Sequence, residues 1–119
     1  MAYFRFEKLE VWKDAKEFVT EVYSTTSKFP SSERFGLVDQ TRRASVSIVL
    51  NIAEGSTRGW DADFRRYLKM AQGSINEVVT GFYIALDLKL LSQGAFDKIY
   101  EQALRLNGKL SALIKKVSN

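Results

Sequence analysis

The stretch Gln40-Thr-Arg-Arg-Ala-Ser-Val-Ser-Ile-Val-Leu-Asn-Ile-Ala-Glu54, closed by Gly55, decides the fold. Val38, Thr41, Ser45, Ile48 and Ile52 recur at spacings of three and four, so on a helix they share one mostly apolar face. Gln40, Arg43, Ser47, Asn51 and Glu54 recur in the same way and share a second face, every member of it polar. A solvated face usually carries interchangeable Lys and Glu. This one has no Lys and is flanked by Ala44, Val46, Val49 and Ala53. The pattern points to polar groups partly inside a packed helical assembly, each needing a partner.

Outward from this helix the same period continues. The sequence predicts four helices, at about 7–28, 32–54, 61–91 and 93–117, in a single domain spanning 1–119. In the first, Leu9, Trp12, Ala15, Val19, Val22 and Tyr23 form the apolar stripe, widened by Val11 and Phe18. Phe29-Pro30 stops it, because proline pushes the preceding residue out of the helical region. Ser31 or Ser32 caps the second helix and Asp61 the third. Gly55 is read as a C-terminal glycine. Phe64, Leu68, Ala71, Ile75, Val78, Phe82, Ala85 and Leu88 or Lys89 line the third helix, with Gly73 and Gly81 inside it. Each interior glycine costs roughly 1 kcal/mol against alanine, so close backbone approach to the second helix is expected there. Phe96, Ile99, Tyr100, Ala103, Leu106, Leu110, Leu113 and Val117 line the fourth. Short loops between amphipathic helices make the expected fold all-α, an antiparallel up-down-up-down four-helix bundle, elongated rather than round.

Composition removes most chemistry. Cys and His are both absent, which excludes disulfides, thiolate and imidazole metal sites, and Ser-His-Asp catalysis within the chain. No carboxylate spacing supports a metal, so no cofactor and no enzymatic activity are expected. No apolar run approaches the roughly 20 residues of a membrane helix. The N-terminal sequence lacks the order of a secretory signal, so a cytoplasmic home without membrane contact is expected. Net charge is +4, from 18 Lys plus Arg against 14 Asp plus Glu. That excess permits contact with phosphate without requiring it.

Two constellations remain. Folding the second and third helices at a turn near Arg58 puts Arg43 level with Gly73, within reach of Ser74 and Glu77. An Arg43–Glu77 ion pair is then expected, sheltered from water, with Ser47, Asn51 and Glu54 on the same face. The competing reading leaves Arg43 on the surface. The other constellation is Arg42, Arg58, Arg65, Arg66 and Lys69 along the same hairpin, interleaved with Trp60, Phe64 and Tyr67. Arginine with aromatics suits nucleic acid. Equally, the aromatics can be core and the arginines can pair with Glu54, Asp61 and Asp63.

Lys8-Leu-Glu-Val-Trp12, Phe29-Pro-x-x-Glu33-Arg-Phe-Gly-Leu37, Gln40-x-Arg-Arg-Ala44, Asn51-Ile-Ala-Glu-Gly55 and Ala71-Gln-Gly-Ser74-x-x-Glu77 carry a resemblance. From about Glu7 onward the chain resembles the bacterial family of four-helix bundle proteins encoded in large-subunit rRNA intervening sequences. The resemblance implies a four-helix bundle, often assembled as a ring of five. It also implies kinship with the accessory protein of diversity-generating retroelements, which binds a reverse transcriptase and nucleic acid through a basic surface. It supplies no catalytic residues. The functional expectation is a non-enzymatic homo-oligomer contacting RNA, or a nucleic-acid-binding protein, through Arg42, Arg58, Arg65, Arg66 and Lys69. The alternative is a protein–protein scaffold without nucleic acid. Tyr3, Phe4 and Phe6 have no place in a four-helix core and read as an arm for a neighbouring copy.

Overall fold

A computed structural model describes residues 2–117. Its α-helices are α1 (Glu10–Thr26), α2 (Asp39–Ser56), α3 (Asp61–Asp87) and α4 (Gln93–Val117), and the described residues contain no strand. α1 packs on α2, α2 on α3, α3 on α4, and α4 back on α1, which closes an antiparallel bundle. Its extents are 44 × 26 × 21 Å. The length is that of α3, because 27 residues at about 1.5 Å each make roughly 40 Å of helix.

The core follows the apolar period with one rotation. In α2, Val38, Thr41, Ser45, Ile48 and Ile52 are all buried, as are Phe64 to Ala85 at the expected positions of α3. In α1 the buried line is Val11, Ala15, Phe18, Val22 and Thr26, while Trp12 and Val19 are half-buried and Tyr23 is exposed. Both stripes are apolar, so periodicity alone does not choose between them; packing puts Phe18 innermost. Each large side chain so buried stabilises the fold by roughly 1.5–3 kcal/mol.

Helix ends differ from expectation for identifiable reasons. Ser31 and Ser32 do not cap α2; a 3-10 turn (Ser31–Glu33) and a π-helical turn (Arg34–Val38) precede it, and neither opens with a side-chain cap. This wide turn sends Val38 inward and leaves Phe35 outside. Asp61 is the first residue of α3, not its cap; Trp60 holds that position with an extended backbone. Gly55 does not end α2, which continues to Ser56. α3 stops at Asp87, four residues early. Lys89 takes a left-handed φ of 59°, the Leu90 N–H donates to Ala85 O (2.9 Å), and the Lys89 N–H donates to Leu86 O (3.0 Å). That is a Schellman closure with lysine where glycine is usual, so composition gives no warning of it.

The interhelical register moves furthest from expectation. Ser74 Oγ donates to Ser47 Oγ (3.0 Å), Gly81 lies against Thr41, and Gly55 lies against Tyr67. These contacts share one register, in which Arg43 lies level with Val79 rather than Gly73. The shift is about six residues, roughly 9 Å along the axis. The linker through extended Trp60 carries the chain past the end of α2 before α3 begins.

Candidate nucleic-acid interface

Arg43 pairs with Asp39 one turn back (Nε to Oδ2, 3.0 Å), and its side chain is 77% exposed. Glu77 is also exposed and makes no ion pair among the described residues. The sheltered Arg43–Glu77 pair therefore does not form within the chain: both side chains lie on the exposed side of the seam, and Asp39 holds Arg43 along its own helix. Three of the six network residues do meet. Asn51 Nδ2 donates to Ser47 O (2.9 Å) and Ser47 Oγ (3.1 Å), and Ser74 donates to the same hydroxyl. Glu54 instead accepts from Arg58 (3.0 Å).

The basic residues divide by position. Arg42 faces α1: Nε donates to Thr26 Oγ1 (2.9 Å), Nη2 donates to Tyr23 O (3.2 Å), and the guanidinium sits 4.5 Å from the Tyr23 ring centre. It satisfies a carbonyl in the last turn of α1, at the favourable end of that helix dipole. That is the end of the bundle opposite Arg58, so Arg42 leaves the expected strip.

Arg58, Arg65, Arg66 and Lys69 stay together at the α2–α3 corner. Tyr67 organises two of them. Arg58 Nη2 donates to Tyr67 Oη (2.6 Å), and Arg58 and Arg66 lie 5.1 and 4.6 Å from the centre of its ring. The hydrogen bond with Tyr67 and the nearby Glu54 and Asp63 raise the Arg58 pKa further, so that charge is permanent. Arg66 also reaches Asp63 (3.4 Å). Arg65 donates to Val117 O (3.4 Å), which brings the end of α4 with Lys115 and Lys116 to the same corner. Lys69 makes no ion pair among the described residues, and with Ala62, Arg65, Arg66 and Met70 it lines an open groove. Of the interleaved aromatics, Phe64 is buried, Tyr67 is half-buried and Trp60 is 75% exposed.

Arg5 belongs to this corner and sequence reasoning missed it. Its Nη1 donates to Ser56 O (3.0 Å) and its guanidinium lies 5.2 Å from the Phe64 ring centre. The signal was its place between Phe4 and Phe6, which stack on each other (5.5 Å), with Phe6 then packing on Trp12 (4.8 Å). The expected arm is thus half folded onto its own chain, and Tyr3 and Phe4 remain exposed.

No group of His, Cys, Asp or Glu among the described residues could hold a metal ion. No helix among the described residues is long and apolar enough to cross a membrane. Fold and site together define an all-α bundle with a basic, aromatic corner. The model of the 23S rRNA-intervening sequence protein family matches residues 7–112, and the chain belongs to that family. Among solved structures it is similar to a protein of unknown function from the S23 ribosomal protein family of Bacteroides thetaiotaomicron. That likeness has 22% identity and a TM-score of 0.79, covers 88% of this chain and 98% of that one, and concerns the fold alone. No curated protein matches the chain.

Proposed function

We propose that the chain is a non-enzymatic bundle that assembles with copies of itself and presents its basic corner to RNA. One observation carries the assembly. Val46, Val49 and Leu50 (63% exposed) line a groove between α1 and α2. On the opposite side Val79, Tyr83, Tyr100 and Leu104 (59% exposed) line another between α3 and α4. Exposed apolar side chains gathered in a groove on each of two faces support contact with another copy. The faces differ from each other, so they pair head to tail, and head-to-tail contacts make a ring where the rotation between copies closes. The resemblance noted above suggests five copies. A ring multiplies the basic corner, and multivalency raises avidity without any new contact.

Light scattering at micromolar concentration tests the assembly. Leu50→Glu and Leu104→Glu should each dissociate it. Mixing the two variants should yield a heterodimer, because each keeps the face the other has lost. A monomeric wild type sinks the assembly. A salt titration of RNA binding, with Arg65→Glu plus Lys69→Glu as the control, tests the second limb. The protein-only scaffold is favoured by one observation: Arg42, Arg58 and Arg66 already have partners within the chain. Absence of RNA binding at low salt would select it.

A further inference from the structure

We infer that the α2–α3 corner takes an unpaired nucleic-acid strand, with one base stacked on Trp60 and the adjoining phosphates against Arg65 and Lys69. This rests on the reading that the basic corner meets RNA, and it names which form of RNA.

Charge supplies the first step. Arg58, Arg65, Arg66 and Lys69 share the corner with Glu54, Asp61 and Asp63, two of these four cations are already paired with carboxylates, and Arg5, Lys115 and Lys116 adjoin them. Duplex binding draws most of its affinity from many phosphates neutralised at once. Here Arg58 and Arg66 are held by carboxylates and the Tyr67 ring, and Arg5 by Ser56 O, which leaves few cations free to follow the two strands of a duplex. A second source of affinity is needed, and Trp60 provides it. Its indole is 75% exposed on the same corner. Its backbone is not loose: it is extended (φ −126°, ψ 132°), and its carbonyl accepts from the Phe64 N–H (3.0 Å) as α3 begins. An exposed indole on a backbone held at the start of a helix is a ready stacking platform, and it has only two side-chain torsions to lose when a base lands on it.

Stacking requires a base with a free face. An unpaired strand offers one and the interior of a duplex does not. Loss of one stacked base changes affinity by roughly 5- to 150-fold. The two cations without a carboxylate partner, Arg65 and Lys69, line the groove beside Ala62, two residues after Trp60. The Tyr67 ring holds the Arg58 and Arg66 guanidinium groups in place and so limits how far either moves to meet a phosphate. Stacking and phosphate contact are shared by RNA and DNA single strands, so both belong in the test.

The experiment is fluorescence anisotropy at low salt with a labelled unstructured RNA, the same sequence as DNA, and its RNA duplex. Wild type should bind the single strands at least ten-fold more tightly than the duplex. Trp60→Ala should lose roughly ten-fold or more on single strands and little on the duplex, and Trp60→Phe should restore most of the loss. Equal binding of duplex and single strand, or single-strand affinity unchanged in Trp60→Ala, overturns the inference and leaves the basic corner standing. No binding of any of the three by wild type overturns both. Light scattering on Trp60→Ala is the control. Dissociation of the assembly would place the indole in a subunit interface and overturn the inference as well.

Discussion

Gly55 and Tyr67 meet at backbone level: a Cβ on Gly55 would lie 2.6 Å from Tyr67 Cβ and 3.1 Å from Phe64 Cδ1. The absence of a side chain in α2 is therefore what seats Tyr67, and Tyr67 in turn holds Arg58 and Arg66. Helix propensity alone favours Gly55→Ala by about 1 kcal/mol. The obstructing atom is a Cβ fixed to the α3 backbone, so the helices must separate instead. Overpacking of this kind costs typically 1–3 kcal/mol. Urea denaturation should show net destabilisation. A stabilised Gly55→Ala would mean the helices are not in this contact.

Gly81 plays the same part at the other end of the α2–α3 seam. A Cβ there would lie 2.7 Å from Thr41 Oγ1, which itself donates to Leu37 O (2.7 Å). Gly81→Ala should destabilise by about 1–2 kcal/mol. Adding Thr41→Ala removes the obstruction, so the double mutant should recover part of the loss. Additive losses would argue against the contact.

Gly73 has no neighbour within 4 Å of a built Cβ. Gly73→Ala should therefore gain something near 1 kcal/mol from propensity. The sign difference between Gly73 and the other two glycines is a strict check on the register, read from three melting curves.

At the end of α3, Lys89 sits in the left-handed region at φ 59°. That conformation costs a residue with a Cβ roughly 1 kcal/mol, and glycine avoids the cost. Lys89→Gly should leave stability unchanged or raise it by up to about 1 kcal/mol, where a glycine in mid-helix would lower it. A clear loss would show that the helix does not end there.

Lys109 ties α4 to α1 by donating to Asp14 Oδ2 and Glu10 Oε1, both at 2.7 Å. The hydrogen bond to Asp14, then that to Glu10, raises its pKa well above the ordinary lysine value. A raised folded pKa stabilises fully below the unfolded value, near 10.4, and the effect disappears as pH climbs through the folded one. Lys109→Met should lower the melting temperature equally at pH 6 and pH 9, with the gap closing only under strongly alkaline conditions. A gap that closed between pH 6 and 9 would refute the assignment.

How much could be read in advance follows from which quantities are local. Helix class and the inward face of α2, α3 and α4 follow from spacing, because 3.6 residues per turn is a property of one chain segment. Thus Thr41, Ser45, Ile48 and Ile52 were legible as buried from their positions alone. The clustering of Arg58, Arg65, Arg66 and Lys69 was legible too, since these residues are close in sequence. The partner of Arg43, the departure of Arg42 and the arrival of Arg5 were not. Each depends on which side of its helix faces solvent and on how the chain packs at the bundle's ends. The slide of α3 along α2 is set where Gly55 and Gly81 admit Tyr67 and Thr41. A shift of about six residues leaves every apolar stripe still facing inward, so the hydrophobic pattern is blind to it, while the residues that lie level across the seam change. Sequence by itself determined the four helices and their inward faces, through the period of the chain. Only tertiary packing decided which polar and charged residues share the basic corner, because steric fit between two helices selects one register among several that bury the same apolar surface.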